Sequence, residues 1–84
     1  MFDKTYQQMK NELDNTIRRH RDDLGYLWKH KKRKTVYEIL GFCIIEETGE
    51  VGIIYKVVKA SPMMWVRPVV EFFDGRFEKV INDA

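Results

Sequence analysis

Apolar side chains in the first third of the chain recur three, four and seven residues apart: Phe2, Tyr6, Met9, Leu13, Ile17 and Leu24, with His20 at the one open step. This spacing draws a single stripe along an amphipathic helix over residues 4–24. Thr5 followed by Gln8 forms a capping box, with Asp3 as the alternative cap, and Gly25 is a candidate terminator. Asp14 with Arg18, Arg18 with Asp22 and Arg19 with Asp23 stand four apart and can pair along the helix. Such a helix is about 30 Å long. That exceeds what a small sheet covers, so part of its apolar face is expected to meet another chain.

The pattern changes period after residue 34. Thr35 to Glu47 is rich in β-branched and aromatic residues, and Thr48-Gly49-Glu50 is a hairpin turn. Val51 to Lys59 alternates, with Val51, Ile53, Tyr55 and Val57 on one face. Ala60-Ser61-Pro62 breaks that strand, and a third strand runs from Met64 to about Phe73. Within it Trp65 and Arg67 share a face, and Val66, Val70 and Phe72 take the opposite one. Pro68 lacks a backbone donor, so this strand lies at a sheet edge or breaks there. Asp74-Gly75 turns the chain into a short last strand over Arg76 to Ile81. Gly41, inside the first long strand, marks a bulge or sharp bend, the device by which small barrels close. Between the two regions, Tyr26-Leu27-Trp28 either extends the helix or starts a short strand, and Lys29-His30-Lys31-Lys32-Arg33-Lys34 reads as a connector.

Tyr37-Glu38-Ile39-Leu40-Gly41, Glu46-Glu47-Thr48, Ile54-Tyr55, Trp65-Val66-Arg67-Pro68 and Phe72-Phe73 follow one another in that order. The ordered set resembles a small bacterial and phage family catalogued as domain of unknown function 1653, and Asp74-Gly75-Arg76-Phe77 is similar to its phage versions. The resemblance covers residues 33–80 and leaves the N-terminal helix outside. Many members carry His-Ser where this chain has Ile45-Glu46. The resemblance implies a compact SH3-like β-domain and a phage or prophage accessory role of the counter-defence type; it implies no activity.

Composition narrows the class. Eighty-four residues suit one domain with a marginal core, for which oligomerisation is a common remedy. The one cysteine, Cys43, excludes an intrachain disulfide and reads as a small buried apolar residue. No apolar run follows Met1-Phe2-Asp3-Lys4, so no signal peptide is expected there. No stretch approaches the roughly 18–20 apolar residues of a membrane helix. The cytoplasm is the expected compartment, without membrane association. The net charge of +2 conceals an asymmetry: residues 1–34 carry ten bases against five acids, and residues 35–84 carry five against eight. Such a split suits a basic binding face, head-to-tail pairing of copies, or a solvated helix.

No catalytic grouping is evident. His20 belongs to the helix stripe, His30 to the basic block, and Glu46, Glu47 and Glu50 surround a solvated hairpin tip. There is no phosphate loop, dinucleotide fingerprint or zinc spacing. Neither a catalytic nor a metal site is therefore expected, and no cofactor. Lys29, Lys31, Lys32 and Arg33 can hold phosphates, or can be an exposed linker. Tyr37, Trp65 and Arg67 are the candidate ligand face, since a guanidinium forks onto an anion and an indole stacks a ring. Alternatively Arg67 pairs with Glu71 or Glu38 and Trp65 seals the core. Tyr6, Met9 and Leu13 are the candidate oligomer contact.

These readings combine into an α+β domain over residues 1–84: a long N-terminal helix within 1–27, a basic connector over 28–34, and a strongly bent antiparallel meander over 35–84, SH3-like in style. The expected function is that of a non-enzymatic binding protein, homo-oligomeric, taking a nucleotide or nucleic acid. The alternative is a protein-interaction module or inhibitor that meets a host protein through the helix and exposed aromatics; an enzyme comes third.

Overall fold

A computed structural model describes residues 3–59 and 61–81. Phe2 of the helix stripe and Ala60 of the strand break lie outside the described residues. The described chain is α+β. Helix α1 covers Tyr6–Arg19, a 3-10 turn covers Arg21–Gly25, and strands β1 (Leu27–His30), β2 (Val36–Ile44), β3 (Val51–Val57) and β4 (Met64–Pro68) follow. A one-turn helix α2 (Val69–Phe72) leads into β5 (Phe77–Val80). The five strands form one antiparallel sheet in the order β4-β3-β2-β1-β5.

The start of α1 follows from sequence. Thr5 Oγ1 accepts from the Gln8 N–H at 3.1 Å, and the Thr5 N–H donates to Gln8 Oε1 at 2.8 Å. The end does not. The expected helix over residues 4–24 is only 14 residues, about 21 Å by its rise per residue. His20 leaves the helix because its ring lies flat on Phe73, centroids 4.2 Å apart and planes at 4°. Asp23 then faces the sheet. Its carboxylate accepts from His20 Nδ1 at 2.8 Å and meets Lys79 Nζ at 3.0 Å, so it is not available to Arg19. Burial pushes the Asp23 carboxyl up, but the hydrogen bonds from His20 and Lys79 outweigh it and hold the group below its ordinary value.

The triplet at residues 26–28 resolves as the start of a strand. β1 is an interior strand of the sheet, paired with β2 on one side and the edge strand β5 on the other. The basic block is accordingly a connector only in its second part. Lys29 and His30 end β1, and residues 31–35 turn the chain into β2, with Lys34 N–H donating to His30 O at 2.7 Å. Lys34 takes a left-handed φ of 65°, uncommon for a residue with a side chain. At Gly41 the β2–β3 register shifts between Ile39 and Gly41, the bulge that its glycine suggested.

The third strand is shorter than expected. It stops at Pro68, and Val69–Phe72 coil into α2. Of the two faces of β4, which the sequence separates without ranking, the one carrying Trp65 and Arg67 is the inner. Val66 is 55% exposed and Val70 72% exposed, while Trp65 and Arg67 stand opposite the buried Tyr55 and Ile53 of β3. Phe72 is fully buried, carried inward by the helical turn.

Phe72 is the plug around which the sheet curls. Its ring stacks on Phe77 at 4.2 Å and meets Tyr55, Phe73 and Trp28 edge-on at 5.2, 5.0 and 5.7 Å. The curl shows in how near the side chains of the two edges come. Laid flat, β4 and β5 would be about 19 Å apart at the usual strand spacing. Arg67 Cζ on β4 instead sits 5.8 Å from the centre of the Phe77 ring on β5. Phe72→Ala should therefore cost about 3–5 kcal/mol, read as a shift of the denaturant midpoint. Val70→Ala in the same turn should change stability by less than about 0.5 kcal/mol.

Candidate functional site

The curl brings the two edges of the sheet together and leaves a small cavity at the seam. Its volume is about 140 Å³, and its lining is His30, Arg33, Tyr37, Tyr55, Trp65, Arg67 and Phe77. Every strand and the β1–β2 turn contribute a side chain. Tyr37, Trp65 and Arg67, which the sequence put forward as a ligand face, thus line one cavity, and Arg33 of the basic block joins them. Lys29 does not: it lies beside Glu78 of the neighbouring strand at 3.5 Å. Lys31 and Lys32 are exposed in the turn.

Aromatic rings make up much of the lining. Tyr37 meets Tyr55 edge-on at 5.2 Å and Phe77 at 5.8 Å, and His30 meets Phe77 edge-on at 5.1 Å. Trp65 is 43% exposed, so it stands at the rim and does not seal the core. Arg67 is held from two sides. Its Nε donates to Tyr55 Oη at 3.2 Å, and Nη1 lies 3.8 Å from Glu71 Oε1, a long and half-exposed pair. Glu38, the other partner considered for Arg67, lies beside Lys56 at 3.6 Å instead. Arg33 makes no side-chain hydrogen bond or ion pair among the described residues.

His30, Tyr55 and Phe77 escaped selection from sequence. His30 was read only as part of a charge run. The signal that could have found it is alternation: with Lys29 and His30 on a strand, only one of the two can face the core side. The Arg33 backbone N–H donates to His30 Nδ1 at 3.1 Å, which leaves the ring proton on Nε2. Burial, and then the cations of Arg33, Arg67, Arg76 and Lys32, lower the His30 pKa from the ordinary 6.5. Asp74 holds Arg76 through two hydrogen bonds of 3.0 and 2.7 Å, and these keep the Asp74 carboxyl below its ordinary range.

The remaining titratable groups singled out in the sequence lie elsewhere. His20 and Asp23 brace α1 against Phe73 and Lys79. Cys43 is half-buried in β2, and burial pushes its thiol up, away from the reactive thiolate. Among the described residues no group of three or more His, Cys, Asp or Glu is arranged to hold a metal ion. No helix among the described residues is long and apolar enough to cross a membrane.

A histidine whose pKa falls on folding binds protons more weakly in the folded chain than in the unfolded one. Its contribution to stability is complete above the unfolded value near 6.5 and is lost as pH falls through the lower folded value. His30→Gln keeps an acceptor for the Arg33 N–H but cannot titrate. Denaturant midpoints taken at about pH 5 and pH 7.5, either side of the ordinary histidine value, should therefore differ less in this variant than in the wild type. An unchanged difference would contradict the depressed His30 pKa.

No curated protein and no solved structure is significantly similar to the chain. A family profile does match, and its span of residues 26–80 begins just before β1 and ends with β5. It contains the whole sheet and every residue that lines the seam cavity, and leaves α1 outside. The chain belongs to the family described as protein of unknown function DUF1653.

Proposed function

We propose that this is a non-enzymatic binding protein whose seam cavity takes an anion attached to a planar ring, as in a nucleotide or nucleic acid. The observation that supports this best is the convergence of Arg33 and Arg67, distant in sequence, on a cavity walled by aromatic rings. Aromatic walls alone would suit a cation. Two guanidiniums repel one and favour a phosphate or carboxylate, which their planar forks grip through paired hydrogen bonds. Half-exposed Trp65 at the rim offers a face on which a base can stack. Lys31 and Lys32 extend the positive field outward along the same turn.

Binding without chemistry fits the histidines. His30 gives its Nδ1 to the Arg33 N–H and is surrounded by cations, an arrangement that lacks the carboxylate partner of a general base. His20 has such a partner, but that pair lies under Phe73 and braces the helix. The strand order and the single helical turn before β5 support the SH3-like reading of the sheet. A small cytoplasmic binder of this kind suits a phage accessory protein that sequesters a nucleotide or masks a nucleic acid of its host.

The helix favours a second contact. Tyr6 is 77% exposed and Ile17 39% exposed, and Tyr6, Met9 and Leu13 with Ile44 line an apolar groove of about 200 Å³. We read this face as the seat of self-association. The shorter helix removes excess length as the reason and leaves the uncovered stripe in its place. Sedimentation should show a dimer or larger species, and Met9→Asp should dissociate it with the sheet still folded. A wild type that stays monomeric at high concentration would refute the self-association.

For the seam site, the measurement is the affinity for short single-stranded DNA at several salt concentrations. Arg67→Lys should weaken binding with the fold retained, because an ammonium cannot reproduce the planar fork. Lys31→Gln with Lys32→Gln should flatten the salt dependence by about 0.7 in the logarithmic slope per lysine. If neither DNA nor mononucleotides bind at low salt, the anion reading is wrong.

A further inference from the structure

The seam cavity is too small for a whole nucleotide. Its roughly 140 Å³ falls well below the roughly 300–1,000 Å³ of pockets that enclose a complete small molecule. It is also a pit and not a trough. Side chains from both sheet edges, the two strands between them and the β1–β2 turn close round it. A phosphodiester within a strand has a sugar on each side and needs a groove open at both ends. A terminal phosphate has one substituent and can enter a pit head first.

The charges fit the same group. Arg33, Arg67, Arg76 and Lys32 all act on His30, and the carboxylates beside them are Glu71 on Arg67 and Asp74 on Arg76. Of these cations only Arg33 and Arg67 line the cavity, and the Glu71 carboxylate lies 3.8 Å from Arg67, so two guanidiniums face the site with little neutralisation. A phosphodiester brings one negative charge. A phosphate monoester brings close to two at neutral pH, with three acceptor oxygens. Arg33 has no competing side-chain partner among the described residues, and Arg67 commits only Nε to the neutral Tyr55 hydroxyl, its one carboxylate contact, with Glu71, being long at 3.8 Å. Donors are thus available without breaking a strong pair.

Resting on the anion reading above, we propose that the pocket recognises the phosphate monoester of a nucleotide, at a strand end or in a free mononucleotide. The monoester sits between Arg33 and Arg67, and the attached base stacks on Trp65 at the rim. Specificity for an end comes from the closed wall, and affinity comes from the second phosphate charge.

The test compares three single-stranded oligothymidylates that differ only in carrying a 5′-phosphate, a 3′-phosphate or hydroxyls at both ends, with the dye placed internally for anisotropy. At least one phosphorylated end should bind about tenfold more tightly than the hydroxyl strand, the effect of one added charge-assisted contact. Arg33→Gln, a change in an exposed turn that leaves the core untouched, should remove that preference while retaining the thermal midpoint. Competition by free thymidine monophosphate at a similar concentration would show that the mononucleotide suffices. Failure of that competition alongside end preference would assign the site to strand ends. Equal affinity for all three strands, weakened in each by Arg67→Lys, would overturn the monoester proposal and leave the anion site standing. No binding of any strand or of the monophosphate would overturn both. Tighter binding of a phosphotyrosine peptide than of any nucleotide would overturn the nucleotide assignment.

Discussion

The burial of Phe72 between the two ends of the sheet is the constraint on which the rest of the structure depends. A five-stranded antiparallel sheet in the order β4-β3-β2-β1-β5 has two open edges, and nothing in the strand pairing itself brings them together. The one-turn helix after Pro68 does so by sending Phe72 inward, where it stacks on Phe77 of one edge strand and meets Tyr55 beside the other. Aromatic packing of this kind combines a large buried area with a preferred ring geometry. In so small a domain it supplies a core that the sheet alone cannot enclose. Curling, in turn, needs a strand that bends, and the bulge at Gly41 in β2 provides it.

The candidate site follows from that packing. Arg67 would face open solvent on a flat sheet; on the curled one it lies over Phe77, bonded to Tyr55. The β1–β2 turn then closes the remaining side with Arg33, fixed to His30 through its backbone N–H. The fold therefore gathers cations at a place that aromatic packing has already partly dried. Charge pairs and hydrogen bonds are stronger there than on an open surface. The left-handed Lys34 is the conformational cost of holding that turn in place. By contrast, α1 stands outside the family's shared region and leaves much of its apolar stripe uncovered. Its contact with the sheet rests on His20, Asp23 and a half-buried Met9 and Leu13.

How far the sequence could be read depends on the range of the interaction that decides each feature. The capping box of Thr5 and Gln8, the bulge at Gly41 and the shared face of Trp65 and Arg67 are local, and all were legible. The end of α1 was not, because Phe73 draws His20 out of the helix from more than fifty positions away. The start of β1 was legible only as one of two readings of Tyr26-Leu27-Trp28, and its end not at all, because half of its four residues are basic; Lys29 meets Glu78, and His30 lines the cavity. Val69 and Val70 look like strand residues, and only the missing donor of Pro68 and the depth of Phe72 turn them into a helix. Which face of β4 points inward was equally out of reach. Alternation pairs Trp65 with Arg67 against Val66, but the direction of the curl decides which side is covered. The three members of the expected ligand face do line one cavity; Arg33, His30, Tyr55 and Phe77 join them only through the closure of the sheet.

The central claim is that the seam between β4 and β5 is where the protein meets its ligand. Amide and indole chemical shifts followed by NMR during titration with a 5′-phosphorylated oligothymidylate test it most directly. The account predicts that the Trp65 indole and the backbone amides of His30, Arg33, Arg67 and Phe77 move together and saturate with one affinity, while those of Tyr6–Arg19 stay in place. Shifts confined to α1, or saturable binding that leaves the Trp65 indole and Arg67 unmoved, would contradict it.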